Sequence, residues 1–491
     1  MYESTWESVR THEVPEWYHD AKLGIFLHWG LYSVPGWAPQ VPDIQELLVT
    51  SGPRRMLRDN PYAEWYRNTM QIAGSPTQRH HQATYGADVP YDDFRAAFDD
   101  ASAGADLDAL ARLCRGFGAG YVVLTTKHHE GFTLWPATVE HPVKGRFHAR
   151  RDLVGDLTAA VRAQGMRMGL YYSGGYDWPY NDAVLRRLAD AVLAAPAGAD
   201  YLAYVTAHVR ELIDRYQPSV LWNDIAWPGG GNLAELFAHF YNSVDDGVVN
   251  DRWVESTLPR NQFTDALVVG IGELVQALWR VIPEKRKYLT FAGAKHYDFR
   301  TPEYTRFDHI ATRKWEATRG VGHSFGANRN ERPEDIVTAT ELIHTFCDIV
   351  AKNGNLLIGI GPRPDGTIPE EQQAPLQGLG RWLAVNGPAV MGTRPWEVAQ
   401  STTSDGLEVR FTQRAGEVYA LVLGTPTGPT STIRGIDGGA VASVRLLGLA
   451  EPPEWRATPD GLAVTWPGRL PVSAAQVVHI GPGCRVAPGT A

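Results

Sequence analysis

Short apolar runs that end in a polar or aromatic side chain alternate with amphipathic helical patterns over most of residues 20–365, and that rhythm leaves very few folds open. LGIFLHWG (23–30) ends at His28 and Trp29, DLDALARLCRGF leads into YVVLTTKHH, and LVGDLTAAVRAQG (153–165) leads into MRMGLYYSG. Further on, YVTAHVRELIDRYQ (204–217) precedes SVLWND, LAELFAHFYNSV precedes GVVNDRW, and TATELIHTFCDIVAKNG precedes NLLIGIGPRPDG. β-Branched apolar runs of this length fit strands covered on both faces, the condition of a parallel sheet wrapped in helices. Six or more such strand–helix units predict an α/β fold, a (β/α)8-like barrel of the TIM type, complete or irregular. A doubly wound open sheet is the alternative that the same rhythm permits.

After GTRPW (392–396) the texture changes to short alternating segments, LEVRFTQ, EVYALVLG, ASVRLLGL, LAVTWP and AQVVHIG, separated by Gly, Pro, Asp and Thr. That pattern predicts an antiparallel β-sandwich of about a hundred residues. The expected division is a barrel domain over 1–395 and a sandwich domain over 396–491. A chain of 491 residues has room for both.

Composition excludes several functions. With 44% hydrophobic and 21% charged residues and no apolar run long enough to span a bilayer, no membrane partner is expected. The N-terminal MYESTWESVRTHEVPEWYHDAK has polar and acidic residues where a secretion signal needs an apolar core, so the expected location is cytoplasmic. Cys114, Cys347 and Cys484 lie far apart and form no CxxC, so free thiols are expected. A formal charge of −9 without a basic stripe argues against nucleic acid. The 16 Trp and 20 Tyr suit small neutral ligands with apolar faces and polar edges, sugars above all, although most of them must serve the core.

Ligands of parallel α/β proteins are handled at the carboxyl ends of the strands, so the polar turn after YVVLTT, with Lys127, His128 and His129, marks a candidate site. Trp222 and Asp224, two residues apart in SVLWND, share one face of their strand and should point into the same cavity. An indole beside a carboxylate suits glycoside chemistry; the plainer reading is a loop or helix-capping aspartate. A metal held by His28, His128, His129 and Asp224 is a rival, opposed by the absence of HxH or HExxH spacing. GHSFG (322–326) matches G-x-S-x-G, but KWEATRGV before it is not an apolar strand, so Ser324 is not expected to be a nucleophile. GIGPRPDG lacks a dinucleotide fingerprint, and no cofactor is expected.

Taken together and in order, PEWYHDAKLGIFLHWGLYSVPGW, AEWY, VVLTTKHHEGFTLW, RDLVGDL, VLWND, NDRW, TPEY, WEATRGVGHSFGANRNE, KNGNLLIGIGPRPDGTIPEEQQ and WLAVNGPAVMGTRPW resemble the α-L-fucosidases of glycoside hydrolase family twenty-nine. The resemblance implies an irregular (β/α) barrel followed by a β-sandwich. It also implies exo-acting hydrolysis of terminal α-L-fucosides, with retention, through a covalent glycosyl-aspartate. Carried over by motif, Asp224 of VLWND is the expected nucleophile and Glu303 of TPEY the expected general acid/base. His28, Glu64, Trp65, His128 and His129 match positions that grip the sugar hydroxyls, while Tyr171, Trp222, Arg252 and Phe325 complete the pocket. Substrates would be fucosylated oligosaccharides or glycosides. The alternatives are an inactive fucose-binding protein and a metal-dependent hydrolase built on His28, His128 and His129.

Two departures from the family pattern are small: HHEG stands where HHDG is more usual, and SFGANR, with Ala327, where SFGYNR is commoner. A larger one is Val254 to Tyr297, which separates NDRW from DFRTPEY by more residues than usual. Its apolar run ALVVGIGELVQALWRVI is expected to form an inserted helix, packed on the barrel or on a partner subunit of a homo-oligomer. The insertion makes Glu255, Glu273 and Glu316 competitors of Glu303 for the acid/base role.

Overall fold

In the computed structural model, which describes residues 1–256, 258, 260–283, 293–468 and 470–487, the apolar runs become the strands of one parallel sheet. These are β1 (Leu23–Leu27), β2 (Tyr121–Lys127), β3 (Arg167–Ser173), β4 (Val220–Asp224), β5 (Val248–Val249), β6 (Trp315–Gly320) and β7 (Gly354–Ile360). The seven strands run β5-β4-β3-β2-β1-β7-β6, and every pairing is parallel.

Between the two edges lies a segment with no strand signature. Residues 298–304 bridge Phe299 to Asn250 on one side, and Arg300 and Glu303 to Trp315 and Thr318 on the other. The Asp298 amide donates to the Val249 carbonyl at 2.9 Å, and the Glu316 amide to the Arg300 carbonyl at 2.7 Å. This short stave closes the barrel, the irregular form of the expected fold, and it carries Glu303.

The period-two alternation of the strands sorts their side chains into two apolar clusters. Ile25, Val122, Leu124, Leu170 and Leu221 face outward to helix residues such as Leu157, Val161, Leu212 and Phe346. Phe26, Tyr121, Val123, Tyr171, Trp222 and Leu357 fill the interior. The covering helices start where the sequence supplies a cap, at Asp106, Asp152 and Asn232 and in the Thr338–Glu341 capping box.

From Arg394 onward the chain forms antiparallel sheets. One has five strands, ordered Arg394–Thr402, Glu408–Arg414, Glu417–Val422, Gln476–Ile480 and Val444–Leu446. The second has three, with Gly461–Thr465 between Thr430–Ile433 and Glu454–Thr458. Trp396, Phe411, Val464 and Val478 belong to the core between them. Among the described residues no helix is long and apolar enough to cross a membrane, and all three cysteines are free thiols.

The helix Ala339–Ala351 joins barrel to sandwich through buried Asp348, which takes Lys352 Nζ at 2.8 Å and Arg410 Nε at 2.5 Å. Burial opposes its ionisation, yet Lys352 and Arg410 hold the carboxyl below its usual range. Replacing Asp348 by Ala removes the carboxylate from nearly buried Lys352 and leaves Arg410 with Glu408 alone, and the expected loss is about 3 kcal/mol of stability. Chemical denaturation of both proteins checks this; an unchanged midpoint would mean that the cluster contributes nothing.

Candidate active site

Six of the seven strands, β1 to β6, deliver side chains from their carboxyl ends to one crevice of the barrel. His28 follows β1, His128 and His129 follow β2, Tyr171 lies near the end of β3, and Trp222 and Asp224 end β4. Arg252 follows β5, Glu303 sits on the closing stave, and Phe325 follows β6. Glu64 and Trp65 arrive from the short turn Ala63–Trp65.

At the centre is Arg252, whose side chain is 2% exposed. Its Nη1 donates to Asp224 Oδ1 at 2.8 Å and its Nη2 lies 2.6 Å from Glu303 Oε1. One guanidinium therefore spans both carboxylates and places them on a common crevice. Burial alone would discourage its charge, but Glu303 and then Asp224 push its pKa above the ordinary arginine value. Nε and Nη2 also donate to the hydroxyl and carbonyl of Thr301, which Asp251 holds in turn through its hydroxyl at 2.7 Å. The guanidinium lies 4.6 Å above the Trp222 ring, a cation–π contact.

Asp224 accepts two further hydrogen bonds and has His129 nearby. Tyr171 donates to Oδ2 at 2.8 Å, the Ile225 amide donates to Oδ1 at 2.8 Å, and His129 Nε2 stands 4.0 Å from Oδ2. Burial and the neighbouring Asp224 carboxylate raise the pKa of Tyr171, which keeps it a donor. Two non-glycine residues in the left-handed region stand directly after the two carboxylates: Ile225 at φ 72° and Tyr304 at φ 48°. For a β-branched residue that conformation is strained, at a cost on the order of 1–3 kcal/mol.

The histidine pair is brought together rather than splayed. The turn after Lys127 leaves the His128 and His129 ring centroids 3.9 Å apart. Ser173 donates its hydroxyl to the Tyr176 carbonyl at 3.0 Å, so His129 Nδ1, 2.7 Å from that oxygen, must be the donor to it. His129 Nε2 is then a bare acceptor on the Asp224 side. His28 and His128 each keep a buried Nδ1 without a hydrogen-bond partner, the latter 3.5 Å from Glu130 Oε2. Lys127 turns away from the crevice, donating to the Ser173 carbonyl at 2.8 Å and pairing with Asp177 at 3.3 Å, and so fixes the loop behind His129.

Burial raises the pKa of Glu64, opposed by His128 and by donors that include the Gly326 amide at 2.9 Å. The Glu64 carboxylate also takes the Ser324 hydroxyl at 3.2 Å, and the Ala63 amide donates to that hydroxyl at 2.9 Å, so Ser324 is tied into the wall that carries Glu64. Phe325 packs near His28 and Tyr62, with ring centroids 4.9 and 5.4 Å away. Trp65 meets His129 edge-on at 5.5 Å.

The competing carboxylates lie elsewhere. Glu273 pairs with Arg54 and Arg187, and Glu255 pairs with Lys295. Glu316 is wholly buried below the pocket, taking Trp222 Nε1 at 3.1 Å and the hydroxyls of Tyr18 and Tyr121 at 2.8 and 2.5 Å. Glu316 thus holds the indole under Arg252 in place. Sequence reasoning missed this role, as it missed Tyr62, which donates to Glu303 Oε2 at 3.3 Å, and Ser173; nothing in their local spacing announces them. Among the described residues, the three groups whose ligand atoms converge as a metal site would require are His12, His296 and Asp298, remote from the histidines named for the metal alternative. That trio is already a hydrogen-bonded cluster with Tyr241.

The family model described as Alpha-L-fucosidase matches residues 1–282 and 281–388. An alpha-L-fucosidase of Dictyostelium discoideum is 31% identical over 91% of this chain and 86% of its own length. The tissue alpha-L-fucosidase of Homo sapiens is 28% identical over 96% of this chain and 89% of its own. Among solved structures, the Thermotoga maritima alpha-fucosidase in complex with a mechanism-based inhibitor is 39% identical, with a TM-score of 0.82, covering 98% of this chain and 100% of that one. The same protein in complex with fucose superposes with a TM-score of 0.81 at 38% identity, with the same coverage.

Burial lowers the pKa of His28 and His129, with His128 adding to both shifts. In the folded chain both rings stay neutral where an unfolded histidine, with a pKa of about 6.5, takes a proton. Their contribution is complete above that value and is lost as pH falls below it. Thermal midpoints from pH 8 to 5 should therefore decline, and His129→Gln should flatten the decline without abolishing it, because His19 and His208 are lowered to about 4 as well. An identical slope in the variant would contradict the assignment.

Proposed function

The chain belongs to the alpha-L-fucosidase family of glycoside hydrolases, and on that premise we propose that its pocket cleaves terminal α-L-fucosides with retention, Asp224 acting as nucleophile and Glu303 as general acid/base. The observation that carries this reading is the Arg252 bridge between the two carboxylates. Retention asks for carboxyl groups about 5 to 5.5 Å apart, a span that two nitrogens of one guanidinium are suited to impose.

In the first step an Asp224 oxygen bonds to the anomeric carbon, the bond to the aglycone oxygen breaks, and the Glu303 proton goes to that oxygen. Tyr171 and the Ile225 amide hold the attacking carboxylate in line. Once Asp224 is esterified its charge is gone, and of the two bridged carboxyl groups Glu303 is the one left to pair with Arg252. Glu303 then takes a proton from water, water oxygen bonds to the anomeric carbon, and the ester breaks.

Hydroxyl recognition falls to His28, Glu64, Trp65, His128 and His129. The bare Nε2 of His129 is the ring nitrogen left to accept from a sugar hydroxyl. Phe325 and Trp222 supply the apolar cover for the 6-methyl group. A methyl contact discriminates by only about 1–3 kcal/mol, so hydroxyl recognition carries most of the specificity. Residues 1–395 form the catalytic domain in this reading and 396–491 the sandwich that covers it. A cytoplasmic location is supported by three free thiols.

Asp224→Ala should abolish turnover of an aryl α-L-fucoside. Glu303→Ala should lose about 10²- to 10⁴-fold on substrates with poor leaving groups, much less on activated ones, and regain turnover with azide. Steady-state kinetics on both substrate types decides. Equal losses without rescue would remove Glu303 from the role, and no turnover by the wild-type chain would leave a fucose-binding protein.

A further inference from the structure

The helix Gln262–Leu278 inside the insertion is amphipathic the wrong way round. Its polar groups face the protein: Glu273 takes Arg54 Nη2 at 2.5 Å and lies 3.5 Å from Arg187, and Gln276 accepts the Arg54 amide at 3.3 Å. Gly272 packs against Ala189, whose Cβ would lie 3.0 Å from a Cβ placed there, and Trp279 just beyond the helix donates to the Leu48 carbonyl at 3.0 Å. The outer face carries Phe263, Leu267, Ile271, Leu274, Leu278 and, past the helix end, Val281, each 47 to 79% exposed. An ordinary surface helix puts these residues inward and its charges outward.

From Leu267 the spacing of that stripe runs four, three, four, three, the repeat by which one helix packs along another. Ala266, Gly270 and Ala277 lie exposed between the large side chains and allow close approach of a second backbone. Six such side chains amount to roughly 600 Å² of apolar surface, at the top of the range for the largest patch on a monomer. Two copies would remove about 1,200 Å², the lower bound of a specific stable interface.

We propose that this helix is a homodimer interface, pairing with the same helix of a second copy about a two-fold axis. An isologous contact needs a stripe complementary to itself, and an uncharged apolar face with a heptad-like repeat meets that need. A membrane surface fits less well, because the chain carries −9 and anionic lipid would repel it. The consequence reaches the pocket. The helix rests on the segment Ile44–Arg58, which leads to Tyr62 and Glu64, and on the helix Leu188–Leu193, whose Ala191 carbonyl holds the Tyr176 hydroxyl at 2.6 Å. Pairing therefore buttresses two walls of the site from outside.

Sedimentation velocity at micromolar concentration tests the proposal with the full chain, the double variant Leu267→Glu/Leu274→Glu and the single variant Leu274→Lys. The expected result is a wild-type mass of an even number of chains, halved in both variants, with their cooperative thermal unfolding preserved. A wild-type mass of one chain would overturn the proposal, as would masses unchanged by either substitution. Co-sedimentation of monomeric wild type, but not of the variants, with phosphatidylcholine/phosphatidylglycerol vesicles would overturn it in favour of a lipid surface.

Discussion

A guanidinium almost wholly removed from water, shared between two carboxylates, is the constraint on which the rest of this pocket depends. Burying Arg252 is costly unless every donor finds an acceptor, and Asp224, Glu303 and Thr301 supply them. Those acceptors come from the end of β4 and from the stave 298–304, with Asp251 pinning Thr301 on the β5 side. The barrel has to close with these pieces in register for the cation to be satisfied at all. Closure and site geometry are in this sense one problem, solved by the same hydrogen bonds.

Below the cation the support is aromatic. Trp222 is clamped by the buried Glu316, which also ties Tyr18 and Tyr121 into the lower interior, and Tyr171 stacks on Trp222 at 5.5 Å. Above it the backbone is bent. The left-handed residues Ile225 and Tyr304 turn the chain immediately after each carboxylate, and the Ile225 amide is thereby aimed at Asp224. Strain of this kind persists only where surrounding contacts over-determine it, which the bridged arginine and its threonine do.

Much of this was legible in the sequence. Apolar runs alternating with capped helical patterns announced the barrel, and the polar residues at their ends, His28, His128, His129 and Asp224, announced the pocket. Period-two reasoning put Trp222 and Asp224 on one face, where Arg252 touches both. The stave was hidden because DFRTPEY has no apolar run, a single β-branched residue in Thr301 and a proline at 302; it is held by partners on two sides rather than by its own propensity. The closeness of the His128 and His129 rings was not legible either, because the turn that brings them together has no local signal. The insertion helix was visible as an apolar run, but its reversed orientation was not, since hydrophobic periodicity locates a stripe without saying which way it faces.

The most direct measurement of the central claim is peptide mapping by mass spectrometry after reaction with a 2-deoxy-2-fluoro-fucosyl substrate bearing a good leaving group, which slows breakdown of a glycosyl ester. A deoxyfluorofucosyl adduct on the peptide that contains Asp224, released as unmodified enzyme on prolonged incubation, is the predicted result. An adduct on another carboxylate, or catalytic turnover of that substrate whose first product is the inverted sugar, would contradict the account.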